Sequence, residues 1–263
     1  MCNGPLLPGI IAFSLPLMLS GCLQLLFNAA DVIVVGRFAG NESLAAVGST
    51  SSLTNLLVNL FIGLSIGTNV TVGHTLGSGD EKGTQDNVHT AITISMISGI
   101  LLIGVGMLFT RPLLIRMGAP LDVLDKAALY LKIIFIGMPA TMVYNFGSAI
   151  LRAAGDTRKP LYFLSVAGVV KVVLNLFFVI TLHMDVAGVA LATIIAQCIS
   201  AVLILLCLCR MEGPCRLNIR KLYIHPLRLR RMMQIGLPAG IQGSLFSFSN
   251  VLIQSSINSF GSI

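Results

Sequence analysis

Tryptophan is absent from this 263-residue chain and charge is scarce: Asp, Glu, Lys and Arg together make up 10% of it, against about a quarter of an ordinary soluble domain. That scarcity excludes a soluble helical bundle, whose helices need polar faces recurring at helical period. Ligand clusters of the kind that build metal sites or disulfide frameworks are missing too. The cysteines are Cys2, Cys22, Cys198, Cys207, Cys209 and Cys215, mostly in or beside apolar stretches, and only Cys207 and Cys209 come close to a pair. His74, His89, His183 and His225 fall in loops or at segment edges and the carboxylates are scattered. A membrane-embedded enzyme would need a clustered constellation, so neither an enzyme nor a bound cofactor or metal is expected. No Lys or Arg precedes Arg37. Without a basic n-region, the first apolar stretch is expected to remain as a membrane helix and not to be a cleaved leader.

What the chain has instead is long uncharged runs, at 44–79, 87–110, 133–151, 161–170, 186–209 and 232–263. A helix crosses the hydrocarbon core with about 20 apolar residues. The sequence therefore predicts an all-α polytopic membrane protein with seven apolar segments near 9–36, 44–73, 87–110, 128–151, 160–182, 186–209 and 232–260. The net charge of +7 could suggest a nucleic-acid partner, but the bases gather in alternate loops. Eleven Lys and Arg lie in the loops after segments 2, 4 and 6, and five in those after segments 1, 3 and 5, with Lys171 left inside segment 5. The positive-inside rule then places the N-terminus in the cytoplasm, in a multi-pass protein of the cytoplasmic membrane with the bilayer as its partner and no nucleic acid.

Segments 1 and 7 share a pattern at a constant offset of 222: Leu15 and Pro16 meet Leu237 and Pro238, Gly21 meets Gly243, Leu23 meets Leu245, Asn28 meets Asn250 and Phe38 meets Phe260. The second copy follows the longest basic loop. A parallel repeat of that kind divides the chain into a six-helix lobe at 1–210, a basic cytoplasmic linker at 211–231 and the first helix of a second lobe at 232–263.

Intramembrane polar residues are the candidates for function, because an ionisable group there is costly and usually faces a cavity, a partner or an ion path. Asp31 is the one charge before Arg37 and lies about 8 Å below the outer end of segment 1, with Asn28 on the same helical face. Lys171 and Asn175 share a face of segment 5, and Thr193 and Gln197 a face of segment 6. Depth counting puts Asn175 in the same half of the membrane as Asp31, with Lys171 about a turn nearer the midplane. Pro16 and Pro139 are expected to bend their helices. In the loop GDTRKP, Gly155, Asp156 and Pro160 read as a helix stop followed by a new start.

Four stretches, FSLPLMLSGCLQLLFNAADVIVVGRFAG, LRAAGDTRKPLYF, VLNLFFVI with DVAGVALATIIAQ, and IGLPAGIQGSLFSFSNVLIQ, resemble the MATE (multidrug and toxin extrusion) transporters. The resemblance implies twelve transmembrane helices in two six-helix lobes around a V-shaped cavity, of which this chain supplies the N-terminal lobe plus the start of helix 7. It also implies export of drugs and organic cations by antiport with H⁺ or Na⁺, by a protein that is monomeric at full length. By position, Asp31 matches the family's carboxylate on the first helix, a proton or cation (Na⁺) site, and Asn28 and Thr193 match polar residues around it. Asn175 falls where some members carry a second carboxylate, and Lys171 where some carry asparagine. One buried acid and one buried base therefore replace two acids, and a Lys171–Asp31 pair could stand in for a bound Na⁺. The alternative within the wider superfamily is a flippase of lipids or lipid-linked oligosaccharides; a passive channel fits the duplicated half-transporter layout poorly. In a variant with its native cysteines replaced, Lys82→Cys is expected to react with a membrane-impermeant maleimide only after cells are opened, and Arg37→Cys in intact cells; the opposite pattern would invert the topology.

Overall fold

The computed structural model describes residues 6–117 and 121–258. Its helices are α1 (Leu6–Phe38), α2 (Gly40–Gly77), α3 (Glu81–Arg116), α4 (Leu121–Ile136), α5 (Met138–Ala153), α6 (Arg158–Leu176), α7 (Asp185–Arg210) and α8 (Pro226–Asn258). A π-helical turn, Phe177–Thr181, extends α6, and a 3₁₀ turn, Ile219–Lys221, precedes α8. Cys2, and Phe260 of the repeat pattern, lie outside the described residues.

Five helices (α1, α2, α3, α6 and α7) are long and apolar enough to span a bilayer, and α4 with α5 makes a sixth. The seventh expected segment is helical but falls outside that set, because Gln242, Ser244, Ser247, Ser249 and Asn250 dilute its apolar residues. The fourth segment is not one straight helix. Its chain turns by 49° between α4 and α5, at Gly137. Pro139 lies in the first turn of α5, where its missing N–H breaks no bond, so the bend falls just before it. Through Pro16, by contrast, α1 runs on as one helix. The GDTRKP stop is as expected: Gly155 takes φ +88°, and Asp156 Oδ1 accepts from the backbone N–H of Arg158 and Lys159. Burial would raise the Asp156 carboxyl, but the Lys159 ammonium and these two N–H groups outweigh it and hold it below its usual value.

The core lies where α3, α4, α5 and α7 meet, around Leu102, Phe135, Phe146, Ile150 and Ile204, each at most 1% exposed. Large apolar side chains such as Met18, Leu25, Leu108 and Phe246 point outward instead, as a lipid-facing surface requires.

α2 and α8 cross at close range. Gly63 and Gly67 face Gly236 and Gly240, two small-xxx-small pairs that let backbones touch. A Cβ on Gly63 would stand 2.2 Å from the Gly240 nitrogen, and one on Gly67 2.3 Å from the Met232 carbonyl oxygen. The same stretch, Gly63-Leu64-Ser65-Ile66-Gly67, has the letters of a GxSxG nucleophile turn. It lies in mid-helix, with the Ser65 hydroxyl donating to the Ile62 carbonyl at 2.7 Å, so it has packing geometry and not elbow geometry.

The segment read as a linker to residue 231 becomes helix at Pro226, and it is anchored to α3. Tyr223 donates to Asp86 and stacks on His89 at 5.5 Å, the Asn218 N–H donates to His89 Nε2, and the His225 N–H donates to the Thr90 hydroxyl. Asp80 caps α3 through the Gly83 N–H and meets Arg228 at 3.0 Å; the Gly83 bond is the main cause holding its carboxyl below the ordinary value.

Gly67→Val is expected to destabilise the fold by about 1–3 kcal/mol through overpacking of the crossing. Gly21→Val, at a position where a Cβ meets nothing within 4 Å, is expected to leave the melting temperature in detergent nearly unchanged. Equal melting temperatures for the two variants would refute the close crossing.

Candidate functional site

Phe27 and Gly168 set the register between α1 and α6. A Cβ on Gly168 would lie 1.9 Å from the Phe27 ring, so only glycine lets the ring seat there. The two helices run in the same direction, and one turn further along each, Asp31 meets Lys171. Lys171 Nζ donates to Asp31 Oδ2 at 2.5 Å, and Asn175 Nδ2 donates to Asp31 Oδ1 at 2.5 Å. All three are buried: Asp31 is 6% exposed, Lys171 9% and Asn175 0%. Asp31 lies seven residues before the end of α1 at Phe38, about 10 Å along the axis. That is slightly deeper than the sequence count, because the helix continues past Gly36.

Both Asp31 oxygens are therefore occupied, one by a full positive charge. The Asn175 carbonyl oxygen is buried without a partner. It is an open acceptor beside the pair. The π-helical turn begins two residues after Asn175, where a wide backbone loop replaces the regular ladder. A Na⁺ at Asp31 would have to displace an ammonium already within hydrogen-bond distance. A proton on Asp31, by contrast, would cancel the charge that holds Lys171.

The pair borders a cavity of about 530 Å³ that also touches Asn28, Thr193 and Gln197. Thr193 does not reach Asp31: its hydroxyl donates to the Val189 carbonyl of its own helix at 2.9 Å. Asn28 lines the cavity one turn before Asp31. Of the predicted residues, the structure thus joins Asp31, Lys171 and Asn175 directly and places Asn28 and Thr193 on the wall beside them.

Sequence reasoning missed the opposite wall. From α2 come Ser51, Thr54 and Asn55, and from α4 and α5 come Tyr130 and Thr141. The spacing 51, 54, 55 puts one polar face on an otherwise apolar segment, a signal that was available. Tyr130 had none, since its direction depends on the bend at Gly137. Arg152, counted above among loop charges, belongs instead to the last turn of α5 and lines a second cavity of about 510 Å³ that also includes Lys171.

The MatE family profile matches residues 16–177. The probable multidrug resistance protein YoeA of Bacillus subtilis is 29% identical over 257 residues, which cover 95% of this chain and 56% of the relative. The probable multidrug resistance protein YpnP of the same organism is 28% identical over 270 residues, covering 98% and 58%. Among solved structures, the outward-facing conformation of a multidrug resistance MATE family transporter of the MOP superfamily superposes with a TM-score of 0.83 at 26% identity, over 89% of this chain and 52% of that one. The chain thus spans between half and three-fifths of the length of these three proteins.

Removing one member of the buried pair leaves the other charge uncompensated. Lys171→Met is expected to cost about 3–5 kcal/mol of stability. Adding Asp31→Asn to it is expected to restore most of the loss. A thermal double-mutant cycle in detergent reads this directly, and additive losses would show that the two groups do not interact.

Proposed function

The chain belongs to the MatE family, and on that premise we propose that it forms the N-terminal lobe of a secondary active transporter that exports small amphiphilic molecules by exchange with H⁺ or Na⁺. The observation that carries this reading is the buried Asp31–Lys171–Asn175 cluster on the wall of a cavity within the lobe. A buried ion pair contributes little net stability compared with an apolar replacement of the same shape, so its presence in a membrane lobe favours a functional reason.

In this reading Asp31 is the coupling carboxylate. With Asp31 ionised, Lys171 holds it and ties α1 to α6. With Asp31 protonated, the attraction is lost, the ammonium is freed toward the cavity and the α1–α6 contact loosens. The two charge states favour different packings of α1, which is what a coupling element must do. H⁺ fits this arrangement better than Na⁺, because the tethered ammonium already fills the cation's place. Asn175 holds the second carboxylate oxygen, while Asn28 and Thr193 supply polar wall beside it. The family resemblance by itself implied drugs and organic cations as cargo; Arg152 on the cavity wall, whose charge no carboxylate among the described residues cancels, weakens the cation part of that expectation.

The test is efflux of fluorescent dyes of either charge from cells expressing the full-length protein that carries this lobe, under imposed proton or sodium gradients. Wild type is expected to export in response to the proton gradient, and Asp31→Asn, at equal expression, to lose gradient-driven export by tenfold or more. Undiminished export by Asp31→Asn would remove Asp31 from coupling. Dependence on the sodium gradient alone would replace H⁺ by Na⁺.

A further inference from the structure

The cavity beside Asp31 and the one that reaches Arg152 share the wall residues Asn28, Thr141, Lys171, Thr193 and Gln197, so they adjoin and are taken together as one cleft. Its lining holds three charged side chains: Asp31, Lys171 and Arg152. The first two neutralise each other at 2.5 Å. Arg152 has no carboxylate partner among the described residues. Its Nε donates to the Ser148 carbonyl at 3.2 Å, which accounts for its place in the last turn of α5, but its two Nη groups donate to nothing described. The nearest acid in sequence, Asp156, is occupied by Lys159 and by two N–H groups at the start of α6.

Further polar groups line the space beside Arg152. Behind Arg152 a smaller cavity of about 190 Å³ is lined by Ser20, Gln24, Tyr144, Asn145 and Ser148. Ser148 is only 4% exposed, and its hydroxyl lies beside that of Tyr144. Tyr144, its neighbour one turn away, spends its own hydroxyl on the Pro160 carbonyl. The guanidinium fork, the Ser148 hydroxyl, the Gln24 amide and the Asn145 side chain, whose Nδ2 donates to the Thr141 carbonyl, thus meet at the basic end of the cleft. With the other two charges cancelled, the cleft carries one net positive charge.

An unpaired guanidinium in a largely apolar lobe is costly unless an anion meets it, and its planar fork matches a carboxylate or phosphate bidentately. We propose that Arg152 anchors an anionic group, a carboxylate or a phosphate, on the amphiphilic molecule that occupies this cleft, so that the cargo is an organic anion and not a cation. The inference rests on the exporter reading for its purpose and on the cleft's charge balance for its sign. Binding and coupling are separated in space: Arg152 holds the anion at one end, and the Asp31–Lys171 pair responds to the ion at the other.

The full-length protein, purified in detergent, tests this with two dansyl probes of one hydrocarbon length, one ending in a carboxylate and one in trimethylammonium, followed by fluorescence anisotropy. Wild type is expected to bind the carboxylate probe at least tenfold more tightly. Arg152→Gln is expected to abolish that preference while binding of the cationic probe changes less than twofold, and Arg152→Lys to keep part of it. In nanodiscs, displacement of the carboxylate probe by phosphatidylglycerol but not phosphatidylcholine would assign the anion to a lipid headgroup; no displacement would assign it to a soluble molecule. Equal affinities for the two probes, or equal losses of both in Arg152→Gln, would overturn the anion site. Proton-driven export of a cationic dye together with a cation preference in binding would overturn it as well, and would leave the exporter reading standing. A carboxylate preference lost in Arg152→Gln, with no gradient-driven flux of any probe, would support the site and overturn the exporter reading.

Discussion

A carboxylate can stay buried in an apolar helix lobe only if a positive charge and a hydrogen-bond donor reach it, and Asp31 has both. Much of the lobe's internal arrangement follows from that requirement. Lys171 and Asn175 can serve Asp31 only if α1 and α6 run side by side in one direction and in one register. That register depends on Phe27 seating on Gly168, where a single added methyl would overlap the ring. The ion pair and the ring contact support each other: the ring aligns the helices, and the charges resist a slip that would leave either one unpaired.

Around this seam the rest of the lobe leaves space. The bend at Gly137 turns α5 away from the line of α4, so that Tyr130 and Thr141 reach the cleft while Phe135 and Phe146 fill the core. On the other side α2 offers a polar face to the cleft and a glycine face to α8. One helix thus lines the cavity and packs closely against α8. The strap from Asn218 to His225 is fixed to α3 by Asp86, His89 and Thr90, so the passage from α7 to α8 is guided and not slack.

The charge pattern of the cleft joins these features to function. The Asp31–Lys171 pair is a neutral unit, whereas Arg152 has no carboxylate partner among the described residues. In the proposed exporter these are the two kinds of group that coupled transport of a charged molecule would need: one to feel the driving ion and another to hold the cargo.

Composition and spacing alone determined the class of protein, six of its membrane passages, the helix stop and start at GDTRKP and the candidacy of Asp31, Lys171 and Asn175. These follow from local physics: length against bilayer thickness, the cost of a buried charge, and helical periodicity. Only the tertiary structure decided that Lys171 reaches Asp31, that the fourth passage bends at Gly137, that the letters GLSIG serve a helix crossing, and that Arg152 faces the cleft and not the loop. Each of those depends on which helices lie side by side and how closely. Such distances are set by contacts between residues far apart in the chain, such as the Phe27 ring on Gly168 and the backbone of Gly63 on that of Gly240, which no local pattern records.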